Sequence, residues 1–110
     1  MKKFKDALNG VLYALKHRAV LVQLFLAICA IIGGLIIKLD QYEWMAFILC
    51  ISMVISSEIF NTAIEKIGDY LNEEYDERIK IIKDLASGAV LINSIASLII
   101  CIICVIRRFG

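Results

Sequence analysis

Proline is absent from this 110-residue chain, histidine and tryptophan occur once each, and twelve basic residues against eleven acidic ones leave a formal charge of only +1. Without proline, nothing obliges a long apolar run to break. The small net charge, with no basic patch interleaved with aromatics, gives no surface for nucleic acid. The four cysteines, Cys29, Cys50, Cys101 and Cys104, all fall within apolar runs. Cys101 and Cys104 form a CIIC, but no second pair completes a metal site, and His17 is far away in the sequence. The cysteines read as small hydrophobes, not as a disulfide framework or a redox motif. What the chain has in abundance is apolar bulk, 61% of residues with a mean hydropathy of +0.83. That composition points to a single small all-α integral membrane domain.

Three windows, 19–37, 42–64 and 85–106, can each span about 30 Å of hydrocarbon at about 1.5 Å per residue. In lipid they must be helices, because each backbone donor and acceptor has to be satisfied within its own segment. Between the second and third lies EKIGDYLNEEYDERIKIIKD, residues 65–84, with eleven charged residues of twenty. The flanking helices are expected to run on into this stretch as cytoplasmic extensions joined by a loop. Residues 1–18 differ: Phe4, Leu8, Val11, Leu12 and Leu15 share one helical stripe, while Lys3, Lys5, Asp6, Asn9 and Lys16 fall largely elsewhere. This pattern predicts an amphipathic helix lying at the membrane surface, the alternative being a helix docked on protein. A cleaved signal is disfavoured, since the apolar run continues to Ile37 and LAIC lacks a small residue before its cysteine.

Lysines and arginines at the span ends set the orientation. Lys2, Lys3, Lys5, Lys16 and Arg18 precede the first span, and Lys66, Arg78, Lys80 and Lys83 lie between the second and third; the other side has Lys38, Arg107 and Arg108. The N-terminus and the charged stretch are therefore expected on the cytoplasmic side of a cell membrane, and the C-terminus outside.

At about 100° per residue, Glu58, Asn61, Thr62, Glu65 and Asp69 fall on one narrow stripe at the inner end of the second span. An ionised carboxylate in hydrocarbon costs several kcal/mol, so the stripe is expected to face a water-filled cleft, a cation or the inside of a bundle. The start of the third helix supplies a complement: Lys83 and Ser87 are four residues apart on one face, with Asp84 beside them. Carboxylates for a divalent metal and a lysine for phosphate oxygens are what phosphoryl transfer from a nucleotide needs. The plainer alternative is that these charges are ion pairs locking helices together.

The chain resembles the prokaryotic diacylglycerol kinase family, which includes undecaprenol kinases. The resemblance covers nearly its whole length and is strongest in ExxNTAIE at Glu58 to Glu65, then Asp69, then KDxASGAVL at Lys83 to Leu91. It implies a homotrimeric membrane kinase of three-span subunits, each with a surface helix, that transfers the γ-phosphate of ATP to a lipid hydroxyl. Glu58 would be the general base, Glu65 the ligand of Mg2+, and Asn61, Asp69, Lys83 and Asp84 the nucleotide contacts. Ser87 would join Glu58 on the lipid side. The lipid itself, undecaprenol or diacylglycerol, is not legible. One departure stands out: the family's further metal-binding glutamate before the first span has no counterpart, and His17 lies near its place. A catalytically inactive relative with a structural role therefore remains an alternative, as does a small proton-coupled transporter.

Overall fold

A computed structural model describes residues 2–110; Met1, the first residue of the expected surface helix, lies outside them. Four helices follow one another: α1 (Lys2–Ala14), α2 (Arg18–Ile37), α3 (Gln41–Leu71) and α4 (Glu77–Phe109), with no strand among the described residues. The last three are long and apolar enough to cross a membrane. At about 1.5 Å per residue, the 31 residues of α3 and 33 of α4 reach well beyond about 30 Å of hydrocarbon. Both helices therefore extend past the expected span ends, α3 to Leu71 and α4 back to Glu77.

The helix ends are specified locally. Lys38 takes a left-handed conformation (φ 60°, ψ 63°), and the Leu39 N–H returns to the Gly34 carbonyl at 3.1 Å. Gly34 makes this turn tight: a Cβ there would lie 2.8 Å from Leu39 Cδ1 and 3.0 Å from Trp44 Cη2. Asp40 then caps α3. Its carboxylate accepts from the Glu43 N–H at 2.9 Å, and the Glu43 side chain accepts from the Asp40 N–H at 2.9 Å, a reciprocal box that satisfies two otherwise orphaned donors. Asp76 caps α4 by accepting from the Arg78 N–H at 2.9 Å.

The chain is a thin slab, 51 × 37 × 19 Å, in which α3 packs chiefly on α4, also on α2, and touches α1. Its buried core is small, centred on Leu39, Phe47 and Cys104 with Trp44, Ile100 and Cys101 around it. Most large apolar side chains of α2, α3 and α4 face outward. In water such a surface would drive aggregation, whereas in lipid it is the solvated surface. Phe4, Leu8, Val11 and Leu12 on α1 are uncovered too. Among the small residues of the long helices, Gly34 makes a close contact, while Ser52 and Ser56 are exposed and return their hydroxyls to carbonyls of their own helix.

Candidate functional site

The stripe on α3 is graded. Glu58 and Asn61 are buried, at 6% and 7% exposure, whereas Glu65 and Asp69 two and three turns on are exposed. Asn61 ties the two glutamates together: its Nδ2 donates to Glu65 Oε1 at 3.1 Å and, more weakly, to Glu58 Oε1 at 3.5 Å. Two carboxylates seven residues apart thereby belong to one polar chain. Thr62 lies half-buried beside it and donates to the Glu58 backbone carbonyl at 2.9 Å.

From α4, Ser87 donates to Asn61 Oδ1 at 3.4 Å and Lys83 Nζ donates to Asp69 Oδ1 at 2.6 Å. The expected face of α4 thus meets the stripe at two of its three positions. Asp84 is turned to a different partner, accepting from Lys80 Nζ at 2.6 Å one turn back on the same helix. An i,i+4 lysine is always within reach of a helical carboxylate, so spacing alone could not tell this pairing from one across the groove.

Gln23 was not among the residues that the sequence singled out, yet its Nε2 reaches Glu58 Oε2 at 3.5 Å from the second turn of α2. As the single polar side chain in an otherwise apolar window it was a visible signal, but its partner lies 35 residues away. Gln23 also lines a cavity of about 330 Å³ between the three long helices, walled by Ala27, Val54, Ile55, Ser97 and Leu98. Gln23 therefore links Glu58, which does not itself line the cavity, to the cavity wall.

Behind the site, α1 is held against the C-terminal part of α3: Lys66 Nζ lies 5.2 Å from the centroid of the Tyr13 ring, and Lys16 Nζ lies 5.5 Å from it. His17 follows, its ring edge-on to Tyr13 at 5.5 Å and its Nε2 buried without a hydrogen-bond partner. It occupies the N-cap position of α2 but its side chain makes no capping bond.

A sequence profile described as prokaryotic diacylglycerol kinase matches residues 5–105. The chain belongs to that family. An undecaprenol kinase of Bacillus subtilis is 39% identical over 75 residues, which are 67% of this chain and 61% of that protein. A diacylglycerol kinase of Synechocystis is 32% identical over 99 residues, 88% of this chain and 57% of that one. The chain thus spans about 60% of the length of these two relatives. No solved structure matches.

Members of a kinase family invite a test of the site against Mg2+. No cluster of three or more His, Cys, Asp or Glu side chains forms a closed metal cage among the described residues. Mg2+ does not need one, since it commonly takes one or two carboxylates and completes its shell with phosphate oxygens and water. Glu65 fits that use: it is exposed, oxygen-bearing, and bonded by Asn61 at one oxygen only. His17, a nitrogen donor, does not suit so hard a cation.

Proposed function

We propose that this chain is a membrane lipid kinase that passes the γ-phosphate of ATP to the hydroxyl of a membrane lipid, undecaprenol or diacylglycerol. The observation that carries the reading is the position of Glu58, a buried carboxylate bonded on one side by Gln23, which lines an apolar cavity, and on the other by Asn61, which links it to Glu65, with the Lys83–Asp69 pair one turn beyond. A lipid hydroxyl can approach from one side and a polyphosphate from the other.

In this reading Glu58 takes the hydroxyl proton while the lipid oxygen bonds the γ-phosphorus and the bond from that phosphorus to the bridging oxygen breaks, releasing ADP. Gln23 and Asn61 orient the carboxylate through its two oxygens, and Ser87, through Asn61, borders the lipid side. Glu65 would hold Mg2+, which when bound offsets phosphate charge. Asn61, Asp69 and Asp84 are the further nucleotide contacts, and Lys83 supplies an ammonium for phosphate oxygens. We further assign a homotrimer, in keeping with the uncovered faces of the long helices, a cytoplasmic N-terminus, and α1 as a helix lying in the membrane interface. The lysine and arginine asymmetry and the exposed Phe4, Leu8, Val11 and Leu12 support the last two.

Purified protein given ATP, Mg2+ and either lipid should form the phosphorylated lipid, and Glu58→Gln should end turnover while ATP binding survives. A second reading, an inactive family member in which the stripe only pairs helices, is favoured by His17 standing where a carboxylate is expected. It wins if neither lipid is phosphorylated and Glu58→Gln lowers stability, as loss of a helix-pairing contact would. A proton-coupled transporter would normally place an acidic side chain deep in its first span, where this chain has Gln23.

A further inference from the structure

Four glycines lie inside the three long helices, and their surroundings differ. Gly33 and Gly88 have nothing within 4 Å of the place a Cβ would take, and Gly34 belongs to the turn between α2 and α3. Gly68 is buried in the last turns of α3, and a Cβ there would lie 2.8 Å from Lys83 Cε and 2.9 Å from Ile79 Cγ2. Real Cβ atoms essentially never come so close, so the two α4 side chains occupy the space that a side chain at position 68 would need.

Glycine is the poorest helix former after proline, so the interior of a 31-residue helix gives no local reason for it. The contact does. Ile79 and Lys83 are one turn apart on α4 and both rest on the bare backbone of Gly68, which lets the lysine stem lie flat across α3. From there its ammonium meets Asp69, the next residue, at 2.6 Å, with the side chain one-third exposed. Lys80 has no such trough and pairs within its own helix with Asp84.

We propose that Gly68 is a positioning residue: its missing side chain forms the trough that lays Lys83 across α3 and holds the ammonium beside Asp69, ready for nucleotide phosphate. The inference rests on the kinase reading for its purpose, but its geometry stands apart from it. An ammonium carries three N–H donors, so Lys83 can keep Asp69 on one while offering the others to phosphate oxygens. Gly68→Ala changes no charge and favours the helix, yet it forces the stem to move. The β-branched Ile79 is stiff at χ1, so the flexible lysine yields first and its ammonium leaves Asp69.

The test uses the full chain in detergent or nanodiscs, with Gly68→Ala, Lys83→Met, the double variant and Gly88→Ala as the control in open space. Loss of one charge-assisted contact to phosphate should raise the KM for ATP about tenfold in Gly68→Ala, with kcat within about twofold. Lys83→Met should add little once Gly68→Ala is present, and Gly88→Ala should match the parent. Nitrogen-15 NMR of the lysine ammonium groups supplies a readout that needs no turnover: a slowly exchanging Lys83 signal in the parent should be lost in Gly68→Ala and kept in Gly88→Ala. If Gly68→Ala keeps that signal, or lowers kcat and thermal stability together without a specific rise in KM, the proposal is overturned. If the parent phosphorylates neither lipid, the kinase reading falls, and the ammonium signal alone decides whether Gly68 positions Lys83.

Discussion

Replacing Glu43 by alanine should destabilise the chain by about 3 kcal/mol without touching the chemistry of the inner site. Glu43 is 3% exposed and accepts from Arg108 at 2.7 Å, from Arg107 at 3.5 Å and from the Asp40 N–H at 2.9 Å. Removing one partner of a buried ion pair costs about 3–5 kcal/mol when the other charge is left stranded. Here the arginines are not fully stranded, since the Arg107 and Arg108 side chains are 59% and 34% exposed and can turn to water or headgroups. That places the cost at the lower end: about 1.5–3 kcal/mol for the short bond to Arg108, at most about 1 kcal/mol for the exposed Arg107 pair, and the remainder from the Asp40 N–H. The assay is reversible unfolding in mixed micelles at rising dodecyl sulfate fraction, followed by helical circular dichroism, for Glu43→Ala, Arg108→Gln and the double variant. The cycle should return a coupling of about 1.5–3 kcal/mol between Glu43 and Arg108. Fifteen residues of helix, about 22 Å, separate Glu43 from Glu58, so any phosphoryl transfer per folded molecule should be unchanged. A coupling under about 0.5 kcal/mol would refute the reasoning and mark the cluster as an ordinary solvated ion pair.

Glu65→Gln removes a charge from the position assigned to Mg2+, so the Mg2+ concentration needed for half-maximal lipid phosphorylation should rise about tenfold or more; equal metal dependence in the two proteins would end that assignment. The caps of α3 and α4 should fail in acid. The Glu43 N–H first, and behind it the Arg107 guanidinium, hold Asp40 below the usual carboxylate value of 3.8, and the Arg78 side chain followed by its N–H does the same for Asp76. A carboxyl lowered in the folded state contributes stability above its unfolded pKa and loses it as pH falls through the folded one, so the loss belongs below about pH 4. Hydrogen-exchange protection of the Glu43 and Arg78 amides, corrected for intrinsic rate, should hold from pH 7 to about 5 and drop toward pH 3; a flat profile would count against the caps.

What the sequence revealed and what it hid divide along one physical line. The three long helices were legible because lipid leaves the backbone no other choice, and the stripe from Glu58 to Asp69 was legible because helical periodicity is local. The two helices run on past the apolar windows into the charged stretch, as expected, to Leu71 and back to Glu77, because charged residues tolerate a helix that has left the membrane. Contacts between helices were another matter. Gln23 on Glu58 and Arg108 on Glu43 join residues 35 and 65 apart, and no periodicity encodes which turn of one helix faces which turn of another. Asp84 shows the converse: its spacing with Lys83 and Ser87 was suggestive, but Lys80, one turn back, competes for it within the helix. Gly68 carried no signal at all, because a missing side chain acquires meaning only from what fills its place.

The two ends of α3 carry similar residues to opposite effect, and saturation separates them. At the N-terminal end Glu43 is buried and has as partners two arginines and a backbone N–H, so it has little capacity left for a ligand; its charges hold α3 to the end of α4. Toward the C-terminal end each group has fewer partners. Glu58 meets amide donors only at 3.5 Å, Glu65 is bonded at one oxygen and open to water, and the Lys83 ammonium is bonded to a single exposed carboxylate. Amide donors at that distance orient a carboxylate and leave its oxygens room for a further hydrogen bond. A set of charges meant only to lock helices would be expected to look like the Glu43 cluster; the Lys83–Asp69 pair does, but Glu58 and Glu65 do not.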